Sequence, residues 1–356
     1  MEKIKTIKGE LDKRGLDVFL SLQNTRYLAD TDSGKAVIVP RDGEPILICS
    51  RLELERAKRE SWIKDIRAFS SWKAPLQRGE RVFFLELWQL VTEVLDILDA
   101  RSIGYDKAEK NFIRKVRNAH AASYRAVPEI TQDLRKIKSA KELVLLRKSA
   151  EMAVLGMNRA AELIQVGMTE LEIAAEVEYK MRRAESEGTP FQIIVASGGN
   201  SWLPHSSASR KKLRRGELIV VDLGATFKGY ASDMTRTFGL SPTPKQSRVL
   251  QIVRRAQEAA LAKVKDGVQA KAVDAAARNF IARAGYSKFF NHGSGHGVGL
   301  EIHEAPSLAP SSEDILRKDM VITVEPGIYV PKVGGARWED TVLVKSNGYE
   351  PLTHYE

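Results

Sequence analysis

The sequence is poor in cysteine and has no long apolar run. Cys49 is the only cysteine among 356 residues, so an intramolecular disulfide is impossible and a cytoplasmic location is expected. No segment approaches the roughly 20 apolar residues that a membrane-spanning helix needs. Residues 1–17 are charged and patterned as a helix, without the apolar region of a signal peptide. These absences argue against disulfide-stabilised and membrane-spanning proteins.

Positive charge is in excess, but it is not concentrated in one place. The 56 Lys and Arg residues outnumber the 46 Asp and Glu residues, which gives a formal net charge of +10. Basic clusters such as 210–215 alternate with acidic residues along the chain, and no nucleic-acid-binding motif accompanies them. We therefore predict a solvated charged surface, with neither nucleic acid nor a membrane as a partner.

The length exceeds the usual limit for a single hydrophobic core, so we predict two domains. In the N-terminal third, short apolar strands alternate with helical patterns, which is typical of a layered sheet. This region is predicted to be a small α/β domain, residues 1–128, without a chemical motif. Its predicted helices are 1–14, 51–60 and 87–100, and its predicted strands are 17–21, 36–40, 45–49, 82–85 and 102–105.

The second predicted domain, residues 129–356, begins with long helices. Ser139 precedes Glu142 by three residues and Thr169 precedes Glu172 by three, the spacing of a helix capping box. The first of these helices is predicted to run to near Gly167, and a third helical pattern covers 246–265. Helices of this length must bury an apolar stripe against a sheet, so the fold class is α+β.

Five potential metal ligands lie in the second domain. Four carboxylates and one imidazole form an oxygen-rich set with formal charge −4, one for each carboxylate, which two divalent cations would balance. Burying unpaired carboxylates without such compensation is very costly. Two close metals provide a nucleophilic water and polarise a carbonyl, so the set predicts a two-metal hydrolase. The residues are Asp222, Asp233, His296, Glu325 and Glu339.

A hairpin is predicted around the first two acids. An apolar strand ends at Asp222, and a second strand begins near Asp233. If the turn is centred between Phe227 and Lys228, the two acids lie opposite each other, with Cβ atoms about 4.5–5.5 Å apart. A bulge at Gly229 would shift this register by one residue. Taken alone, the first acid could simply end a strand and the second could lie on the surface.

The other three candidates also lie at unusual positions. His296 is surrounded by glycines, where the backbone can approach closely, yet the spacing fits neither a dinucleotide fingerprint nor a phosphate loop. Glu325 ends an apolar strand, and Glu339 begins another after the turn at 334–335. An acid at the end of an apolar strand is a poor packing choice unless it has a partner. The combination therefore favours one metal centre.

The four motifs that contain the five candidate ligands resemble those of the pita-bread metallopeptidase family, which includes methionine aminopeptidase, aminopeptidase P and prolidase. They are VVDLGATFKGYASDMTRT, HGSGHGVGLEIHE, TVEPG and GARWEDTVLV. The chain is most similar to the prolidase and aminopeptidase P branch over residues 135–356, and the N-terminal α/β domain fits the extra domain of that branch. The resemblance implies a pita-bread catalytic domain and a homodimer.

The same resemblance implies how the ligands are shared. Asp222, with the bridging Asp233 and Glu339, would hold one metal, and His296 with Glu325 would complete the second site. Oxygen-rich ligation with a single imidazole suits manganese, cobalt, iron or zinc, and the residues do not distinguish among them.

Further roles follow from the resemblance. His303 would stabilise the oxyanion or hold the substrate carbonyl. His205 would contact the substrate and shuttle a proton. For both histidines the alternative is a supporting role behind the residues that touch the metals and the substrate. Glu325 would be the general base. Arg337 and Tyr230 are predicted to contact the substrate. The alternatives are a supporting role or loop packing for Arg337, as for His292, and a place in the core for Tyr230.

The predicted activity is that of an Xaa-Pro dipeptidase, a prolidase that hydrolyses the peptide bond before proline in dipeptides. Related prolidases often carry an arginine where this chain has Ser307, and serine cannot make a bidentate charged contact with a substrate carboxylate. Arg210, Lys211 or Arg337 could substitute. An Xaa-Pro aminopeptidase acting on longer peptides therefore stays open as an alternative.

A role of another class is a binding module that has lost its metals, as in some relatives of this fold. The full set of five ligands in this chain favours an enzyme.

Overall fold

The computed structural model describes residues 2–78 and 80–355. These divide into two compact units, with the border between Leu134 and Arg135. The domain boundary placed between residues 128 and 129 stays a prediction. None of the helices in the described part of the chain is both long and apolar enough to cross a membrane.

The first unit is a mixed sheet of seven strands in the order β5-β4-β3-β2-β1-β6-β7. The central strands β1, β2 and β3 pair antiparallel, and the outer strands join them in parallel. The strands are β1 Val18–Ser21, β2 Gly34–Pro40, β3 Ile46–Ser50, β4 Asp65–Phe69, β5 Val82–Phe83, β6 Ser102–Tyr105 and β7 Ser123–Ala126. The helices are α1 Glu2–Arg14, α2 Thr25–Ala29, α3 Leu54–Glu60, α4 Leu87–Ile97, α5 Lys110–Ala119 and, across the border, α6 Glu129–Lys136.

One part of the core of the first unit lies between the sheet and α4, and α1 buries Ile7 and Leu11 as well. Leu90 and Val94 of α4 are fully buried against Leu20 and Ile38 of the central strands. The α/β character predicted for this unit is confirmed, and each predicted strand and helix is present within a few residues. Met1, the first residue of the predicted N-terminal helix, lies outside the described residues. Strands β4 and β7 and helix α5 were not predicted, because mixed polar and apolar residues obscure their periodicity.

The second unit combines long helices with antiparallel sheets. One sheet has the order β12-β9-β8 and another the order β14-β13-β15-β18-β19, and two short hairpins complete the unit. The helices are α7 Ala140–Leu163, α8 Glu170–Arg183, α9 Pro244–Leu261 and α10 Ala270–Arg283. The strands are β8 Ile194–Ser197, β9 Glu217–Leu223, β10 Thr226–Phe227, β11 Tyr230–Ala231, β12 Met234–Leu240, β13 Gly295–Gly297, β14 Glu304–Leu308, β15 Val321–Val324, β16 Gly327–Val330, β17 Gly334–Arg337, β18 Asp340–Lys345 and β19 Gly348–Pro351.

Each helix pair covers one sheet. Helices α7 and α8 bury Met157 and Val177 against Val221 of β9, and α9 and α10 bury Val253 and Ala277 against Ile322 of β15. The helices therefore cover one face of each sheet, and the opposite faces are available to line a site. This mixed architecture confirms the α+β class.

The predicted helix starts are confirmed. The Ser139 side chain accepts a hydrogen bond from the Glu142 backbone N–H, and the Glu142 carboxylate accepts one from the Ser139 backbone N–H at 3.0 Å. The same reciprocal pair joins Thr169 and Glu172. Helix α7 ends at Leu163, four residues before the predicted end.

The predicted pairing of Asp222 with Asp233 is wrong. Phe227 pairs with Tyr230, so the turn is centred between Lys228 and Gly229, and Asp222 lies opposite Thr235. Both turn residues have positive φ, 48° and 81°, as a two-residue type I′ turn requires. Asp233 still projects to the same side as Asp222, because it lies two residues before Thr235.

Candidate metal centre

The five predicted ligands lie within or next to strands around one cavity of about 1010 Å³. Asp222 is near the end of β9 and Asp233 immediately precedes β12. His296 is central in β13, Glu325 follows β15, and Glu339 immediately precedes β18. A bridge between Thr235 and Glu339 joins two of these segments, with the Glu339 backbone N–H donating to the Thr235 carbonyl at 3.1 Å. Strand pairing therefore gathers side chains that are far apart in the sequence.

The side chains approach within the range of a shared cation. Asp233, His296 and Glu339 each offer a ligand atom, and these atoms all lie within 4.8 Å of one another. His296 Nε2 is 3.2 Å from Glu325 Oε1 and 3.7 Å from Asp233 Oδ2. The structure thus brings the histidine to the carboxylates, with Glu325 and Asp233 both facing its Nε2.

The orientation of the His296 ring leaves the lone pair of Nε2 facing these acids. Its Nδ1 lies 3.1 Å from the Gly297 carbonyl, to which it can only donate. In the neutral imidazole, Nε2 is then an acceptor, and it faces the acceptor oxygens of Glu325 and Asp233. A proton or a cation between them is needed to make the arrangement attractive. Although burial lowers the pKa of His296, the hydrogen bond and charge of Glu325 raise it above the ordinary value.

Three carboxylate oxygens are buried without a hydrogen-bond partner in the described part of the chain. They are Asp222 Oδ1, Asp233 Oδ1 and Glu339 Oε1. The other oxygen of Asp222 accepts from Arg337 Nη2, and Glu339 Oε2 accepts from Thr235 Oγ1 at 2.7 Å. Divalent cations fit these residues, because each cation would be the positively charged partner that the oxygens without donors lack.

The electrostatics agree with a missing positive charge. Burial, with repulsion between the neighbouring acids, raises the pKa of Asp233 and Glu339 well above the ordinary range. Burial also raises the pKa of Asp222, although Arg337 opposes the shift. Glu325 differs: burial would raise its pKa, but the hydrogen bond and charge of His296 lower it to about 2.

Arg337 lies beside the ligands, and other protein groups accept hydrogen bonds from four of its five N–H donors. Its buried guanidinium donates to Asp222, to the Tyr329 hydroxyl at 2.8 Å, to Thr235 Oγ1 at 3.1 Å and to the Pro204 carbonyl at 3.3 Å. This placement favours the supporting role over the predicted substrate contact.

Three further histidines, His205, His292 and His303, also line the cavity. The ring centres of His303 and His296 are 4.2 Å apart, and burial together with the charge of His296 lowers the pKa of His303. His205 is exposed on the cavity wall. His292 Nε2 lies 3.1 Å from the Tyr329 hydroxyl, and burial lowers its pKa. Hydrogen bonds thus connect Arg337, Tyr329 and His292.

The structure does not bring Tyr230 to this cavity. Its ring packs in a buried cluster with Leu146 and Val298, and its hydroxyl donates to Glu142 at 2.9 Å. The predicted substrate contact therefore has no support here, and the alternative, a place in the core, describes this residue.

Of the proposed carboxylate anchors, the described cavity lining contains Arg337 but neither Arg210 nor Lys211, while Ser307 does line it. The Lys211 ammonium instead donates to Ser197 and Glu217, at 2.7 Å each.

Thr235 is a site residue that the sequence analysis missed. Its hydroxyl fixes Glu339 and accepts from Arg337. The sequence does contain a pattern that could have identified Thr235. It follows Asp233 by two residues on a predicted strand, so the two side chains lie on the same face.

The fold and the carboxylate–histidine centre together define a two-domain, metal-dependent peptidase. The chain belongs to metallopeptidase family M24, whose model matches residues 144–346, and the Creatinase/Prolidase N-terminal domain matches residues 3–137. The predicted family and its branch are thereby confirmed.

The relatives span the whole chain. An Xaa-Pro dipeptidase of Pyrococcus horikoshii is 38% identical over 100% of this chain and 97% of its own length. The solved structure of an Xaa-Pro dipeptidase from Bacillus anthracis covers 100% of this chain and 98% of its own, with a TM-score of 0.92 and 31% identity. The structure of an X-Pro aminopeptidase from Thermotoga maritima is also 31% identical, with 98% of both chains covered and a TM-score of 0.85.

Proposed function

We propose that the protein is an Xaa-Pro dipeptidase that hydrolyses the peptide bond before proline with water activated at two divalent metals. The observation that carries this proposal is a group of buried carboxylate oxygens in a cavity of substrate size, for which the described residues provide no hydrogen-bond donor. The Xaa-Pro dipeptidase of Pyrococcus horikoshii, similar over the full chain, supports the substrate class.

The ligand assignment is part of the proposal. Asp222 would belong to one metal and His296 with Glu325 to the other, and Asp233 and Glu339 would be shared between them. When bound, the two cations would acidify a water molecule and polarise the scissile carbonyl. Manganese, cobalt, iron or zinc suits this donor set.

The chain's own residues supply the proton transfers. Glu325, which follows β15 and lines the cavity, accepts the proton of the attacking water as general base. His303 is neutral near pH 7 because its pKa is lowered, and its ring N–H stabilises the developing oxyanion. His205, on the open side of the cavity, delivers a proton to the imino nitrogen of proline as the C–N bond breaks.

An Xaa-Pro aminopeptidase is the second candidate, and Ser307 favours it. Arg337 is the only Lys or Arg among the described lining residues, and four of its five N–H donors already bond to protein groups. A free substrate carboxylate would then rely on neutral donors such as Asn291 or Gln192. The similarity to the Thermotoga maritima X-Pro aminopeptidase agrees with this candidate as well.

Steady-state hydrolysis of Ala-Pro, Met-Pro and Ala-Pro-Ala distinguishes the candidates. Each peptide is assayed with manganese or cobalt and with a chelator, and Ala-Ala is the matched control without proline. We expect cleavage of the two proline dipeptides, which the chelator abolishes. Equal or faster cleavage of the tripeptide would establish the aminopeptidase, and equal cleavage of Ala-Ala would contradict specificity for proline.

A cytoplasmic location and a homodimer are further proposals. The lone cysteine, which is buried in the first unit, supports the first, and the family resemblance supports the second.

A further inference from the structure

One wall of the cavity is a segment of turns and extended residues between β8 and β9, residues 198–208. It carries His205, and Leu203, Pro204 and Ser206 from the same segment also line the cavity. Because the His205 side chain is exposed, its position depends on how the ends of this segment are held. We call this segment the His205 loop.

Both ends of the His205 loop are bonded to one buried carboxylate. Glu170, in the first turn of α8, is fully buried, and its Oε1 accepts from the Ser197 backbone N–H at 2.7 Å and from Ser197 Oγ at 2.6 Å. Its Oε2 accepts from the Ser209 backbone N–H at 3.1 Å and from Ser209 Oγ at 2.6 Å. Asn200, inside the loop, donates to both oxygens at 3.1 and 3.0 Å.

The surrounding fold does not need this carboxylate to hold its strands. Ser197 already pairs with Ile219 in the β8–β9 ladder. On the other side, the Leu171 backbone N–H donates to the Ser209 carbonyl at 3.0 Å, and the Glu170 backbone N–H donates to the Lys211 carbonyl at 3.1 Å. The carboxylate therefore adds something that the backbone lacks, which is a direct connection between the two ends of the loop.

The middle of the loop is fixed to the metal side of the cavity. The Gly335 backbone N–H donates to Ser201 Oγ at 3.0 Å, and Arg337 Nη1 donates to the carbonyl of Pro204, the residue before His205. Together with Glu170, these contacts hold the loop at both ends and at its centre. A change at Glu170 would loosen the ends while the Arg337 contact remained.

We propose that Glu170 is a positioning residue that acts on hydrolysis through His205, by joining the two ends of the His205 loop. This inference rests on the proposed function, in which His205 delivers a proton to the leaving nitrogen. Glu170 itself touches neither the ligand set nor the cavity among the described residues.

The test compares Glu170→Gln with Glu172→Gln, two positions apart on the same helix. The Glu170→Gln amide keeps the shape but turns a donor toward the Ser197 or Ser209 N–H groups. We expect kcat for Ala-Pro to fall roughly 10- to 100-fold, as for other residues that orient catalytic groups, with KM and bound metal unchanged. Glu172→Gln, at an exposed cap, keeps wild-type kcat.

A double-mutant cycle shows whether the effect passes through His205. In the His205→Ala background, Glu170→Gln should change kcat/KM by less than about twofold. A full further loss in that background would overturn the proposal, because Glu170 would then act by another route.

Hydrogen exchange provides a readout without turnover. Glu170→Gln should speed exchange in residues 198–208 at least about tenfold, with residues 340–345 unchanged. Unchanged exchange in the loop would overturn the proposal even if activity fell. Wild-type protein that cleaved no Xaa-Pro peptide would instead refute the proposed function, and exchange would still test the loop.

Asn200→Ala is the second variant if Glu170→Gln does not fold. It removes only the central donor and leaves both serine contacts. We expect faster exchange in the loop and a smaller loss of kcat than in Glu170→Gln, because Glu170 keeps its two serine partners. A lowered kcat with wild-type exchange in the loop would contradict a role of Glu170 that acts through the loop.

Discussion

Two kinds of buried carboxylate occur in the second unit, and they differ in how many of their oxygens accept hydrogen bonds. Glu170 has both oxygens saturated by neutral donors from Ser197, Asn200 and Ser209. Asp222 and Glu339 each have one oxygen fixed by a protein donor and the other without one among the described residues. A buried structural acid is expected to resemble Glu170. The half-satisfied acids are therefore oriented for a cation.

The raised pKa values predict how the metal-free protein responds to pH. The folded state raises the pKa values of Asp222, Asp233 and Glu339. Such groups stabilise the fold at pH values below the ordinary carboxyl pKa, and this stability is lost as the pH rises through their folded pKa values. Glu325 acts oppositely, because its contribution is lost only as pH falls toward about 2. The metal-free protein should therefore become less stable as the medium changes from acidic to mildly alkaline.

Thermal unfolding with and without a chelator measures this effect. We expect chelation to lower Tm by several degrees more at about pH 8 than at about pH 5, since ionised acids repel and bound metal relieves the repulsion. Asp233→Asn removes one of the charges and should weaken the pH dependence of the metal-free protein. An identical chelator effect at both pH values would contradict the assignment of these acids.

The hairpin that presents Asp222 shows what a pattern of strands can and cannot predict. The sequence predicts both strands of the hairpin and the acid next to each strand. It did not predict how the two strands pair, because that register depends on which two turn residues adopt positive φ. Lys228 does so although it is not glycine, so glycine alone did not locate the turn. The pairing of Asp222 with Thr235 then places a hydroxyl between Glu339 and Arg337.

Substitutions in this turn should have opposite effects. Gly229→Ala places a Cβ at φ 81° and should lower the free energy of unfolding by about 1 kcal/mol. Lys228→Gly relieves the same kind of strain at φ 48° and should cause no loss of that size. Denaturant unfolding of both variants with metal bound measures the difference. A stable Gly229→Ala variant with an unstable Lys228→Gly variant would contradict the turn geometry.

At the scale of the whole molecule, the sequence was most informative about the centre of the site. The five predicted ligands all line one cavity because each lies at or near the end of a strand, and a period-two pattern predicts strands well. Their roles as ligands remain a proposal. The structure was needed for long-range hydrogen bonds, such as those of Arg337 to Asp222 and Tyr329, which no local pattern encodes. The hydrogen bond that places Tyr230 in the core is of the same kind, because its partner, Glu142, is 88 residues away in the sequence. The local pattern around Tyr230 therefore did not exclude the pocket.

The anchoring of the His205 loop is likewise a long-range feature. Glu170 precedes Ser197 by 27 residues and Ser209 by 39, and its position in a capped helix start gave it no distinguishing pattern. The loop, the ligand strands and Arg337 form one connected network in the second unit. Metal binding and proton delivery, as proposed, therefore take place in neighbouring parts of a single cavity.

The most direct test of the central claim is a titration of metal-free protein with manganese, with Ala-Pro hydrolysis and bound metal measured on the same samples. We predict that turnover rises with bound metal and reaches its plateau at about two ions per chain. Asp233→Asn, assayed alongside, should bind less metal and lose turnover. Hydrolysis that persists without metal, or an Asp233→Asn variant with full metal content and full turnover, would contradict the account.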